Sequence, residues 1–255
     1  MLSCRLHCMA GGVIIEKSGE KKANLNSPHL RGRNLKPLLR DLLRQLGPEK
    51  ALEKIYPLPA RQVVNPLFSF LYSTDPLLKW QAVTAMGIVV STLAQTDLES
   101  GRTLMRRLMW NLNDESGGIG WGSAEAMGDI MARSAPMAKE YAAILVSYIQ
   151  PEGNFLEAEG LLQGALWAIG RVAHVRPGQM RVAAPFLLPF MIAANPTHRG
   201  LSAWAAGPME SEITKPHLTQ LTRDTALIDI YMNGCLVKRQ VGTLAQEALS
   251  QTNSG

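Results

Sequence analysis

Four of the five tryptophans stand where they could floor a binding groove. Trp80 and Trp121 each precede the glycine of an Ala-Met-Gly tripeptide by seven residues, while Trp167 and Trp204 precede the glycines of Ala-Ile-Gly and Ala-Ala-Gly by three. Positions four apart share one face of an α-helix, so all four indoles belong to the same side. Gln163 joins them at minus seven and Glu125 at minus three. Asp129 and Arg171 follow at plus one in neighbouring segments, and His174 lies one turn beyond. Such a set suits recognition: aromatic rings to stack on, with Glu125, Asp129, Arg171 and His174 as polar handles. Packing accounts for the same residues in another way. Each indole then fills the space beside a signature glycine, and Asp129 with Arg171 is a ladder salt bridge worth little.

The turn Asn113-Asp114-Glu115-Ser116-Gly117-Gly118 is a second candidate, since its acidic residues could meet a partner's cation. Asp114 and Glu115 repel phosphate there, and no lysine follows the glycines, so it is not a phosphate-binding loop. Ser116 and the glycines are also explained as a helix cap and a sharp turn. Bond-making chemistry finds less support. His7, His29, His174, His198 and His217 are scattered without metal spacing, and no GxSxG, HExxH or dinucleotide fingerprint occurs. Cys4, His7 and Cys8 form half a metal set with no second half. With Cys235 the cysteines number three, which suits a reducing compartment. No cofactor and no metal are expected.

These candidates need a scaffold that repeats. The signature glycines Gly87, Gly128, Gly170 and Gly207 are separated by 41, 42 and 37 residues, with two helical segments per period. A period near 40 is the mark of a helical solenoid. First (A) helices are expected at 60–72, 97–112, 135–150 and 178–193, and second (B) helices at 76–94, 117–133, 155–175 and 196–207. Asp75, Ser116 and Asn195 stand twelve residues before their glycines as N-caps, with Pro76 and Pro196 at the first helical position. Ala158 breaks that rule, so the third B helix is expected to begin near Asn154. Thr96 and Glu99 read as a capping box, as do Thr243 and Gln246. Residues at minus five, minus two and plus two, such as Ala82, Ala85, Val89 and Ile130, form the packed side.

Around the repeats, residues 1–33 read as a disordered basic extension and 34–59 as an N-terminal helical cap. The four repeats occupy 60–207, and 208–255 form a C-terminal hairpin and helix. Asn233-Gly234 between alternating apolar residues is a hairpin signal that pairs Tyr231 with Leu236, Ile230 with Val237 and Asp229 with Lys238. The hairpin is expected to close the end of the last repeat. Of the +5 net charge, residues 1–50 hold ten Lys/Arg against four Asp/Glu, and the remainder sixteen against seventeen. The solenoid is therefore near neutral, which disfavours nucleic acid. No apolar run reads as a membrane span and no signal peptide is evident, so a cytoplasmic protein without membrane attachment is expected.

The B-segment pattern, clearest in WGSAEAMGDI and QGALWAIGRV, resembles HEAT-like repeats, especially those of phycobilisome-lyase-type proteins. Pro208 departs from it by standing where the fourth helix should continue. The resemblance covers residues 60–207 and implies an all-α, armadillo-type α-solenoid (an α-α superhelix) whose tryptophan side lines the concave surface. It implies a non-catalytic protein-binding scaffold or adaptor first. A bilin lyase-like protein or cofactor chaperone holding a small aromatic or tetrapyrrole ligand comes second. A HEAT-like DNA glycosylase comes third, against the neutral solenoid.

Overall fold

A computed structural model describes residues 34–55, 58–113 and 120–252. The N-terminal extension with Cys4, His7 and Cys8 lies outside them, as do Asp114, Glu115 and Ser116 of the acidic turn.

The repeats are four helix pairs. The A helices are α3 (Ala60–Leu71), α5 (Leu98–Leu112), α7 (Ala135–Ser147) and a broken fourth, α9 (Pro177–Met180) and α10 (Ala184–Met191) joined by a 3-10 turn. The B helices are α4 (Pro76–Thr96), α6 (Ser123–Arg133), α8 (Glu159–Ala173) and α11 (Pro196–Ala206). Each B helix packs on its own A helix and on the next B helix, so α4, α6, α8 and α11 form one inner row. That row is a solenoid layer, stabilised by nearest-neighbour burial. Outside it, Arg102 of α5 reaches Glu140 of α7 at 2.8 Å, and Arg107 reaches Asn65 of α3 at 2.8 Å. These exposed pairs add little stability.

The expected small-residue side is packed: Ala82, Ala85, Ala126, Ile130, Ala165, Ala168, Val172 and Ala205 have no exposed surface. The opposite side is covered too. In α6 every residue from Ser123 to Ala132 is buried. The signature glycines permit the close stacking this requires. A Cβ at Gly128 would lie 2.6 Å from both Cα and Cβ of Ala168, and one at Gly87 would collide with the Asp129 carboxylate. Gly therefore stands mid-helix despite its cost of about 0.5–1 kcal/mol relative to Ala.

Several helix starts differ from expectation. The Asp75 carboxylate accepts from Leu77 and Leu78 N–H, and Asn195 accepts from Thr197 N–H, as their spacing predicts. α6 begins at Ser123, six residues later than expected, because Gly122 adopts φ +75° and turns the chain into the helix. α8 begins at Glu159, not near Asn154, whose amide instead donates to Ser147 Oγ at 3.0 Å. For α5 the cap is Asp97, accepting from Ser100 N–H, while Thr96 ends α4 and bonds back to Leu93 O. No box is formed by Thr243, since the last helix already starts at Val241.

At the N-terminal end α1 (Leu35–Leu46) and α2 (Pro48–Ile55) pack on α4. At the other end a 3-10 turn, containing Pro208, follows α11, and α12 (Lys215–Leu221) leads into the hairpin. Its strands are β1 (Leu227–Met232) and β2 (Cys235–Gln240), and α13 (Val241–Thr252) follows directly. The register pairs Tyr231 with Leu236, Ile230 with Val237 and Asp229 with Lys238, around Asn233 at φ 51° and Gly234 at φ 80°. Both positive φ values are what a two-residue hairpin turn needs. The expected closure of the last repeat is shared: α13 packs against α11 and closes the inner row, and β1 also meets α11, with Ile228 beside Gly200. The hairpin lies across the inner face, where its aromatic and aliphatic side chains meet the tryptophans. Helix α4 is a correction, being long and apolar enough to cross a membrane by length and composition; most of that stretch is buried in this fold.

Candidate functional site on the tryptophan face

Three of the four tryptophans converge. Trp80 and Trp167 have ring centroids 4.6 Å apart, and Trp167 and Trp204 are 6.2 Å apart. Their companion is Tyr231 of β1, whose ring stacks on Trp80 at 4.7 Å with 6° between planes. The Tyr231 hydroxyl lies 3.0 Å from Thr84 Oγ1, and the Trp167 indole N–H donates to the Tyr231 main-chain carbonyl at 2.8 Å. Residues 226, 228, 230 and 232 bond toward β2, as Val241 N–H to Ala226 O continues the ladder. Tyr231 therefore turns its main-chain groups away from β2, toward the helices. Trp167 and Trp204 are only 3% and 8% exposed as a result.

Two carboxylates of α6 lie beneath this aromatic layer, each 3% exposed. Glu125 pairs with Lys79 of α4 at 2.6 Å, and the Lys79 ammonium sits 5.2 Å from the Trp80 ring centroid. Asp129 is shared: Arg133 Nε donates to Oδ2 at 2.6 Å, and Arg171 Nε of α8 donates to Oδ1 at 2.7 Å. The Glu125–Lys79 and Asp129–Arg171 pairs tie neighbouring repeats, and leaving such a buried carboxylate with no cation at all is costly. Glu125 and Asp129 are thus both engaged by neighbouring cations.

Beside the hairpin tip a cavity of about 650 Å³ opens, walled by Trp167, Trp204, Tyr231, Arg133, Arg171 and His174. His174 is exposed on its outer side, while its ring stacks on Trp204 at 4.8 Å and its Nε2 lies 3.1 Å from Trp204 O. Desolvation of the ring pushes its pKa below the ordinary histidine value, outweighing the hydrogen bond to Trp204. The cavity thus presents two guanidiniums, an imidazole favoured in its neutral form and aromatic walls, a set for binding.

Of the residues singled out from the sequence, Asp129, Trp167, Arg171, His174 and Trp204 share this cavity. Trp80, Glu125, Gln163 and Trp167 share a smaller one of about 80 Å³ under Ile230. Trp121 stands apart, 44% exposed in the turn that precedes α6. Asn113 ends α5 through its N–H to Trp110 O and belongs to neither cavity. Sequence reasoning missed Arg133, Lys79 and Tyr231. The i, i+4 spacing of Asp129 and Arg133 is a usable signal, and Lys79 adjoins Trp80. Nothing local links Tyr231 to Trp80. Among the described residues no group of three or more His, Cys, Asp or Glu is placed to hold a metal ion.

No family model and no curated protein matches the chain. Solved structures do. A designed armadillo repeat protein is 19% identical with a TM-score of 0.53, over 90% of this chain and 97% of its own. Another, in complex with peptide (KR)4, is 19% identical with a TM-score of 0.54, over 90% and 96%. A computationally designed armadillo repeat protein for modular peptide recognition is 20% identical with a TM-score of 0.50, over 89% and 96%. At such identities the likeness concerns the fold: the chain is a helical repeat solenoid of armadillo type, carrying a small C-terminal hairpin.

Proposed function

We propose that the protein is a non-catalytic interaction scaffold that holds an extended segment of a partner protein on its concave face. Strand β1 is the observation that carries this reading. The face already holds an extended chain by a main-chain carbonyl, through Trp167, and by a stacked side chain, on Trp80. Main-chain recognition with alternate side chains in pockets is how grooves take extended peptides. The cavity beside the hairpin tip is the entry for the partner. Solved neighbours of the same fold made for peptide recognition support a polypeptide as the class of occupant. The cytoplasm is the proposed compartment, in keeping with the exposed Cys235, which has no disulfide partner among the described residues.

Selection of peptides from a random library on the folded protein tests this reading. Bound peptides should protect the C-terminal halves of α6 and α8, and residues 230–235, from hydrogen exchange. Protection confined to the A helices, or no peptide selected above background, would overturn it. The aromatic walls and size of the same cavity favour a second reading, a phycobilisome-lyase-type or cofactor-chaperone role with a tetrapyrrole ligand. Titration with biliverdin would show it as a shift of the visible band, and an unshifted band would dismiss it.

A further inference from the structure

The geometry points to an oxyanion site in the concave cavity, in which Arg133 and Arg171 together take a carboxylate or phosphate group. As a deepening of the scaffold reading, it says which chemistry the partner segment brings.

A guanidinium carries five N–H donors in a rigid fork. In both arginines only Nε is engaged, on opposite oxygens of Asp129. The Nη groups of Arg133 and Arg171 have no hydrogen-bond partner among the described residues, although both side chains line the cavity and are 30% and 29% exposed. Two cations share one buried carboxylate, so the pair keeps one uncompensated positive charge. Asp129 also holds both forks in place, which removes much of the ordering cost that long side chains bring to binding. A bidentate oxyanion is the ligand such free forks fit. Glu49 of α2, exposed at the edge of the same cavity, is the one other carboxylate among the described residues lining it, and it opposes an anion.

Trp167 and Trp204 line the cavity and report on it by fluorescence. The full chain is titrated with inorganic phosphate, with an octapeptide of alternating Glu and Ala, and with its Gln–Ala counterpart. Phosphate and the Glu peptide should give saturable changes and the Gln peptide none. Arg133→Gln and Arg171→Gln should each weaken binding at least tenfold, and each leaves Asp129 one partner so that the fold persists. Glu49→Gln, at an exposed position, should tighten binding at least twofold, a gain that a damaged fold would not produce. Phosphate binding without peptide binding upholds the oxyanion site with a small free anion as its source, and removes the support for a polypeptide partner. Equal binding of the Glu and Gln peptides keeps the scaffold reading and overturns the oxyanion site. So does the absence of a saturable response to phosphate and the Glu peptide, or affinity unmoved by Glu49→Gln and both arginine variants.

Discussion

The indole N–H of Trp167 donates to the main-chain carbonyl of Tyr231 at 2.8 Å, joining the third B helix to a strand 64 residues further along the chain. This bond fixes the hairpin on the tryptophan face of the B helices, with the Tyr231 ring on Trp80. An isolated two-stranded hairpin is barely stable in water, so the solenoid holds the hairpin in shape and the hairpin in turn covers the solenoid's aromatic row.

Trp167→Phe keeps most of the packing but leaves the Tyr231 carbonyl without its donor. A loss of about 1–3 kcal/mol in a denaturant melt is expected, since a buried polar group left unpaired carries its desolvation cost. Trp167→Ala should lose about 3–5 kcal/mol, as buried aromatic truncations do. Trp121→Ala, at a position 44% exposed, should lose under about 1 kcal/mol, within the range of surface substitutions. Equal losses at the two tryptophans would contradict this division.

Gly128→Leu should destabilise by about 1–3 kcal/mol through overpacking, because even a Cβ there meets Ala168 at 2.6 Å. Gly178→Ala is the control, since a Cβ there has nothing within 4 Å, and it should be neutral or stabilising by up to about 1 kcal/mol. Thermal or urea melts of the two variants decide the matter.

Asp75→Ala removes the cap on Leu77 and Leu78 N–H and a 2.6 Å pair with Arg44. A loss of about 0.5–2 kcal/mol is expected, mostly from the cap, because exposed ion pairs contribute little. Asp75→Asn should retain most of the stability. An equal loss for Asn and Ala would assign the effect to the charge instead.

His198 is 8% exposed and meets Phe190 edge-on, and its Nε2 has no hydrogen-bond partner among the described residues. Burial pushes its pKa below the ordinary 6.5, outweighing the opposing charge of Glu159. The unfolded chain therefore binds this proton more tightly than the folded one. The stability contribution is fully present above about pH 6.5 and is lost as the pH falls through the lower folded value. His198→Gln should flatten that part of the profile, measured as melting midpoint between pH 7.5 and pH 5. An unchanged slope would show that other groups carry it.

The repeat and its helices were legible in the sequence because they rest on short-range physics. Glycines spaced near 40 residues, Asp75-Pro76, Asn195-Pro196 and Asn233-Gly234 each act within a few residues of themselves. The start of α6 lies later than the spacing predicts, because the sequence does not mark which glycine of that turn takes the positive φ that Gly122 has. The shared face of Trp80, Trp167 and Trp204 was legible from helical periodicity. What covers that face was decided only by tertiary structure, since Tyr231 reaches Thr84 through its hydroxyl and Trp80 through ring stacking across some 150 residues, and neither contact leaves a periodic trace. Glu125 and Asp129 show the same limit. Their helical positions are set locally, but whether a carboxylate faces a ligand or is buried in an ion pair depends on which cation the neighbouring repeats bring to it, and here Lys79 and Arg171 arrive from α4 and α8.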